Sequence, residues 1–552
     1  SVNTGIKFGP STTLVAELAY TEANLAALAI AVPAAAPAAS LDTTRGQAGR
    51  VEFNHQGSSF STRAYLNRAG ASFANRAAGV QPGTQQGGAG LQVPATEKLT
   101  LKAEGQRTED LDSDARRDGV TVGAEYAILP ELTLSGGLRH MIERGRLSGA
   151  ASSIAANPDP GSYFGSGSGG GFSGAGSTTL INLNNALATT GAAPGTVDDL
   201  EATTAFVGAA WKLNPRVTLG AQHEASVDGE SRHRSEVGVA MQVAERTKLY
   251  ARAENQVGLA SRYGLDPDAR SSVVSFGVDS TYYPGASAFS EYRLRDAADA
   301  RSAQLASGLR NAWQVDEGVL LHTGAERLKL LSGSGQNATA LTTGLDYTGS
   351  ERWKLGTRLE WRRLDTPASG SSAQVEQDSW LHTVTVARKL DRDWTALLRN
   401  YYLATDNHGA KPDGWQDRFQ LGLAWRPVDH NRLDALTKYE YKTENNINAT
   451  EEWRRVHVGA LQFNGHPSRP WWWSSRLAAK RVTEQYPNTE GGGRDRYTAW
   501  LMGGRLIYDV TENIDLGLQA SWLNGRAEGQ TGSAWQRSLG VEVGYLLQAN
   551  LW

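Results

Sequence analysis

Apolar and polar positions alternate one by one through much of the chain. From Arg352 to Leu364, Trp353, Leu355, Leu359 and Trp361 fall on one parity, and Lys354, Arg358, Glu360 and Arg362 on the other. A period of two is that of a strand, and an apolar face bracketed by tryptophans opposite a face of charges suits a strand standing between lipid and water. Trp353 and Trp361 are eight residues apart. At roughly 3.4 Å per residue and a tilt near 40°, they would stand about 20 Å apart along a membrane normal, close to the apolar band of an outer-membrane barrel. The pattern recurs. Phe419, Leu421, Leu423 and Trp425 oppose Arg418, Gln420, Gly422 and Arg426, and Leu516, Leu518, Ala520 and Trp522 oppose Gly517, Gln519 and Ser521.

Dividing the chain at turn signals gives candidate strands at 12–21, 47–55 and 58–68, continuing through 270–281 to 494–508, 513–524 and 534–546. With a partial strand at each end, the total is about 26 to 28, joined in sequence as an antiparallel meander. The links alternate in character. One set is tight, as at Leu129-Pro130-Glu131, Asn214-Pro215-Arg216, Pro284-Gly285 and Asp316-Glu317-Gly318. The intervening set is longer and richer in Gly, Ser and Asn: 144–199, 257–269, 365–375, 404–413 and 484–493 among others. Outer-membrane barrels have short periplasmic turns and long external loops, so the tight set is expected at the periplasmic end. The fold class expected is therefore all-β: a transmembrane up-and-down antiparallel barrel forming a single domain over residues 1–552, with 144–199 as its longest external loop.

Composition is compatible with this reading. A soluble chain of 552 residues would ordinarily divide into three or four domains with separate cores, and no such division is visible. Mean hydropathy is −0.43, but a barrel faces lipid with only every second strand residue. No run of about 18 apolar residues free of proline and charge suggests a transmembrane helix. The Ala-rich stretch 24–40, interrupted by Pro33 and Pro37, reads as a loop; no basic region precedes it as in a signal peptide. The absence of cysteine suits export through an oxidising periplasm. With 55 basic and 58 acidic residues, nothing marks a nucleic-acid binder.

Candidate chemistry is sparse. Gly165, Gly167 and Gly170 have the spacing of a dinucleotide fingerprint but lie in a Gly/Ser tract without the strand and helix that motif requires. Asp110, Asp112 and Asp114 resemble the first three ligands of a calcium loop, yet Ala115 stands where Gly is needed and Thr121 where Glu is needed, so this is a weak metal site. The ten histidines form no H-x-x-x-H pair, and no G-x-S-x-G elbow is present. No catalytic residue and no cofactor is assigned. Carboxylates alternate with bases on the presumed lumen faces: Arg358, Glu360 and Arg362 form one ladder, and Lys438, Glu440 and Lys442 another. Cross-strand pairing is their expected role. All of the 16 tryptophans except Trp211 lie at or beyond Trp313. Trp353, Trp361, Trp425, Trp471, Trp473 and Trp522 are expected in the lipid-facing aromatic belt, with Trp472 pointing inward.

Three stretches carry a family resemblance: residues 73–83 (Phe-Ala-Asn-Arg-Ala-Ala-Gly-Val-Gln-Pro-Gly), residues 116–126 (Arg-Arg-Asp-Gly-Val-Thr-Val-Gly-Ala-Glu-Tyr) and residues 544–552 (Gly-Tyr-Leu-Leu-Gln-Ala-Asn-Leu-Trp). They resemble the C-terminal barrels of very large proteobacterial surface proteins whose upstream parts carry immunoglobulin-like repeats. The resemblance implies a bacterial outer-membrane location and a non-enzymatic barrel that anchors or passes a surface-exposed polypeptide. The lumen would be filled by another protein or by an upstream segment of the same chain. Two alternatives stay open: a wide diffusion porin constricted by 144–199, and a sheath around a periplasmic electron-transfer partner. Strand-like sequence begins within the first dozen residues, which argues against a self-contained receptor with its own plug.

In similar proteins the last motif continues into further strands. Here Gln548-Ala549-Asn550 reads as one more tight link, with Leu551-Trp552 opening a new strand. The intact mass of the protein from its native membrane should therefore exceed the 59.3 kDa of this sequence; a mass equal to it would remove the continuation.

Overall fold

The computed structural model describes residues 2–8, 12–24, 43–73, 82–145, 199–259, 263–297, 301–333, 335–368, 374–408, 412–429, 432–446, 452–485, 494–511, 514–528 and 532–547. The glycine tract 165–176 and the ending 548–552 lie outside these. Strands make up 83% of the described residues, among which there is no helix.

The strands are β1 (Val2–Phe8), β2 (Thr12–Asn24), β3 (Thr44–Gln56), β4 (Ser61–Ala69), β5 (Thr84–Pro94), β6 (Leu99–Asp110), β7 (Arg116–Leu129), β8 (Leu132–Arg144) and β9 (Leu200–Asn214). They continue as β10 (Val217–Ser226), β11 (His233–Ala244), β12 (Thr247–Leu259), β13 (Leu265–Tyr283), β14 (Ala286–Ala297), β15 (Arg301–Asp316), β16 (Val319–Gly333), β17 (Asn337–Tyr347) and β18 (Trp353–Thr366). The last are β19 (Val375–Lys389), β20 (Trp394–Asp406), β21 (Gly414–Trp425), β22 (Leu433–Asn445), β23 (Trp453–Ser468), β24 (Trp471–Gln485), β25 (Arg494–Thr511), β26 (Ile514–Ala527) and β27 (Ala534–Leu547). From β2 onward each strand pairs antiparallel with the next. The ring closes where β27 meets β2, from Trp535↔Asn24 to Leu539↔Tyr20. This is a closed barrel of 26 strands with β1 as one extra strand in the closing seam.

The tight links lie together at one end. Two need glycine: Gly285 (φ 80°) and Gly318 (φ 71°) adopt the left-handed conformation that the turn demands. At Gly318 a Cβ would also stand 2.2 Å from the backbone nitrogen of Gly349, so neighbouring turns pack backbone to backbone. The sequence boundaries differ from the structure most at β13. The expected loop 257–269 is shorter, because Leu259 and Leu265 already pair across a tight corner.

Alternation sorts the wall into two unlike faces. Leu101, Val122, Leu138, Val207, Val237, Phe276, Leu309, Leu341, Leu421, Leu477, Met502 and Leu518 are all exposed and, through the cross-strand registers, all on one face. The opposite face carries the buried charges, among them Arg139, Glu224, Glu291, Glu444 and Glu484. It is also the concave one. The residues at the start of β13 lie against Met141 of β8 and Ala202 of β9, strands that are not their neighbours in the wall, and the interior offers that path across the ring. The convex face thus carries an apolar band around the ring, as a membrane-spanning barrel requires, with polar groups such as Asp118, Asp378 and Asp417 on the same parity toward the end of the long links. At about 4.8 Å between strands and a tilt near 40°, 26 strands give a backbone diameter of about 50 Å and a lumen of about 40 Å once side chains are placed.

Leu421, 43% exposed, and its neighbour Gln420, bonded to Glu440 at 2.7 Å, test the facing. Leu421→Arg should lower stability in lipid by about 2–4 kcal/mol and Gln420→Arg by little, measured by urea unfolding in liposomes. Equal losses would mean that the register is inverted.

Candidate functional site

The inner wall is the surface on which chemistry-bearing side chains converge. Arg50 and Arg63 hold Glu52 at 2.5 and 3.0 Å, and Lys102 meets Glu125 at 2.5 Å. Arg252 bridges Glu236 at 3.1 Å and Glu254 at 3.0 Å, Arg293 meets Glu291 at 2.8 Å, and Arg310 meets Glu326 at 2.6 Å. Strand alternation produces this belt: each inward position has inward neighbours two residues away and directly across, so opposite charges at those positions must pair.

The sequence-expected ladders are in it. Arg362 meets Glu360 at 2.7 Å on β18, while Arg358 lies one step nearer the tight links on the same face. Lys438 and Arg418 both reach Glu440 at 2.9 Å, and Lys442 pairs with Glu444, which also lies 3.8 Å from Arg454. Of the tryptophans, Trp353, Trp361, Trp425, Trp471, Trp473 and Trp522 share the convex parity by register. Trp361 lies tilted against Trp380 (6.2 Å) and donates from Nε1 to Asp378 at 3.1 Å; Trp425 lies tilted against Trp394 (6.2 Å), and Trp522 meets Trp500 edge-on at 4.7 Å. Trp472 lies on the concave face beneath Arg505.

The aspartates of the weak calcium motif do not converge. Asp110 Oδ1 accepts the backbone N–H groups of Asp112 and Ser113, Asp114 turns through a left-handed conformation (φ 57°), and the described residues hold no group of three His, Asp or Glu side chains arranged for a metal.

The most ordered part of the inner wall was not visible in the sequence. Arg139 on β8 donates from Nη1 to both oxygens of Glu224 on β10 (2.8 and 2.6 Å), and both side chains are buried. Thr204, on the strand between them, donates to Glu224 at 2.6 Å. Tyr263 covers the pair: its ring centroid is 5.9 Å from the Arg139 guanidinium and its hydroxyl 3.1 Å from that of Thr121. Glu143, held by Arg117 at 2.6 Å, accepts the backbone N–H of Leu265 at 3.0 Å. The link between β12 and β13 is thereby fastened to the lumen side of β7 and β8. Gly119 makes room, since a Cβ there would lie 2.1 Å from the Tyr263 ring. Gly119 is the sequence signal for this docking, while the inward glycines 123 and 137 pack against each other and the Phe206 ring.

A second inner-wall feature lies nearer the tight links. A recess of about 620 Å³ is lined by Leu320, Leu397 and Leu436 together with Lys354, Arg399 and Lys438. Leu397 (38% exposed) and Leu436 (39%) are large apolar side chains facing water within the lumen rather than lipid.

No protein-family model matches the chain, and no curated protein matches it in sequence. Solved structures similar in shape include the siderophore receptor PirA from Acinetobacter baumannii (12% identity, 97% of this chain and 80% of that one, TM-score 0.42). Others are a mutant of the ferric enterobactin receptor PfeA from Pseudomonas aeruginosa (11% identity, 97% and 81%, TM-score 0.43) and a bacterial polysaccharide outer membrane secretin (14% identity, 54% and 98%, TM-score 0.23).

Glu224→Ala leaves a buried guanidinium without its carboxylate and should cost about 3–5 kcal/mol in urea unfolding. Arg139→Met combined with Glu224→Met should recover much of that loss. A double variant as unstable as the single would show that the pair's charges are not what matters.

Proposed function

We propose that this protein is a bacterial outer-membrane barrel whose lumen holds or passes a polypeptide exposed at the cell surface, and that it catalyses no reaction of its own. The observation that carries this reading is a lumen of about 40 Å, the consequence of a 26-strand closure, lined by charges that pair with one another. A pore for small solutes needs far fewer strands, since 16 to 18 already leave an aqueous channel. A wall whose acids and bases neutralise each other offers little to select an ion, but it lets a large hydrated chain lie against it. The exposed Leu397 and Leu436, with Lys354, Arg399 and Lys438 and the carboxylate of Asp346 around them, give such a chain an apolar resting point with a charged rim. The occupant is a separate lumen-filling protein or a segment of the same polypeptide, as the resemblance to large surface proteins implies; nucleic acid is not expected.

The alternative with support of its own is the wide diffusion porin. The inward fastening of Leu265 and Tyr263 is an external link already drawn into the lumen, as a constriction would be.

A photoreactive residue separates the two. Placed at Leu397, which faces inward, it should crosslink a polypeptide in native outer membranes; placed at the adjacent Leu398, which faces outward, it should not. Barrel stripped of that occupant should conduct as a large pore in planar bilayers. Absence of crosslinks at Leu397, with open conductance of the barrel as isolated, would overturn the reading in favour of the porin.

A further inference from the structure

The closing seam differs from every other strand junction in the wall. β27 pairs directly with β2 from Trp535 to Leu539, at the end of the long links. Below that the two strands part, and β1 lies between them at the end of the tight links. It is antiparallel to β2 (Val2↔Leu18 to Phe8↔Thr12) and parallel to β27 (Ile6↔Tyr545 to Phe8↔Leu547). Between these two zones β1 still runs beside β27, but no residue from Gly540 to Gly544 is in register with a seam partner among the described residues. In a wall bathed by lipid, unpaired backbone is costly, and an open strand edge seeks a partner.

Insertion of β1 leaves the register intact. Leu14 and Tyr545 both pair with Ile6, Thr13 and Leu546 both with Lys7, and Thr12 and Leu547 both with Phe8. Stepping down β2 from Tyr20 to Leu14, and down β27 from Leu539 to Tyr545, covers an equal number of residues. Without β1, then, the two strands would zip from Asn24–Trp535 to Thr12–Leu547 with no slip, and a slip of one residue is what would invert the faces.

We propose that the β2–β27 seam is a strand-exchange slot in which β1 is a removable wedge. In one state β1 fills the lower slot, registered to β2 along its length and to β27 only from Tyr545 to Leu547. In the other β1 has withdrawn and β2 and β27 are zipped along their length. The ligand class that fits the slot is an extended peptide strand, antiparallel to β2 and parallel to β27, bound through main-chain hydrogen bonds. β1 is the occupant seen here. The inference does not depend on what the lumen carries.

These 552 residues contain no cysteine, so pairs introduced among them can be trapped as disulfides in the native membrane without competition from within this stretch. Across one intervening strand, Leu14 and Tyr545 lie about 10 Å apart, beyond the roughly 7 Å that a disulfide spans. Ile6→Cys with Leu14→Cys reports the wedged state, Leu14→Cys with Tyr545→Cys the zipped state, and Tyr20→Cys with Leu539→Cys, on the same parity, is the control for a closed barrel. Both lower pairs should form, each in a fraction of molecules. Gly5→Pro, which removes a ladder donor from β1, should shift the yield severalfold from the wedged pair to the zipped pair. If the control pair crosslinks while Leu14–Tyr545 never does, with or without Gly5→Pro, β1 is a fixed wall strand and the proposal fails. Should Gly5→Pro abolish the control crosslink through misfolding, the yield of Leu14–Tyr545 in the otherwise unchanged chain decides alone.

Discussion

A bilayer supplies no hydrogen bonds, so each backbone N–H and C=O at membrane depth must find its partner within the protein. That requirement dictates closure, and most of the remaining structure follows from it. Closure by antiparallel neighbours fixes the alternation of faces, because a strand entering the wall out of register would turn charges toward lipid and apolar groups toward water. It fixes the parity of the links, since a meander returns every second link to the same end. It also fixes the width, because each added strand lengthens the circumference. The lumen is wide because the chain supplies 26 strands to the ring.

Such a width moves the problem of stability to the inner wall. A small barrel fills itself with side chains, whereas this one cannot, so its inward residues must be stable against water on one side and a sheet on the other. Arg–Glu pairs serve well here. Their aliphatic stems cover the sheet while their heads share water and one another, and a partly hydrated pair avoids the full desolvation cost of a buried one. The Arg139–Glu224 pair departs from this, being covered by Tyr263 and supported by Thr121 and Thr204. There the wall behaves like a protein core, and Gly119 provides the depth that the Tyr263 ring needs.

Much of the fold was legible in the sequence because alternation and link length are local signals. Trp353, Leu355, Leu359 and Trp361 declare their face within one strand, and the tight link at Glu317-Gly318 declares its end of the barrel within two residues. The candidate site was legible only where it too was local: Arg362 with Glu360, or Lys438 with Glu440, sit two residues apart on one strand. Arg139 and Glu224 are on strands separated by a link of more than fifty residues, and Tyr263 reaches Thr121 past the five strands β8 to β12. Nothing in the neighbourhood of any of these residues specifies the others. Their meeting depends on the curvature of the closed wall, a property of the whole ring rather than of any segment.

The seam is where the demand for closure and the order of the chain conflict. Every other junction in the ring joins strands that follow one another in sequence, and a turn or link holds them together whatever their ladder does. β2 and β27 are not consecutive in sequence, and their meeting is held by the strand ladder and the side chains across it. A junction without a covalent hinge is the one at which another strand can be inserted at least cost, provided that the faces on either side keep their parity. β1 meets that condition, since the same residue of β1 is registered to residues of β2 and β27 that would otherwise be registered to each other. In a meander of sequential neighbours, the point where the first and last wall strands meet is therefore the natural place for a strand that comes and goes.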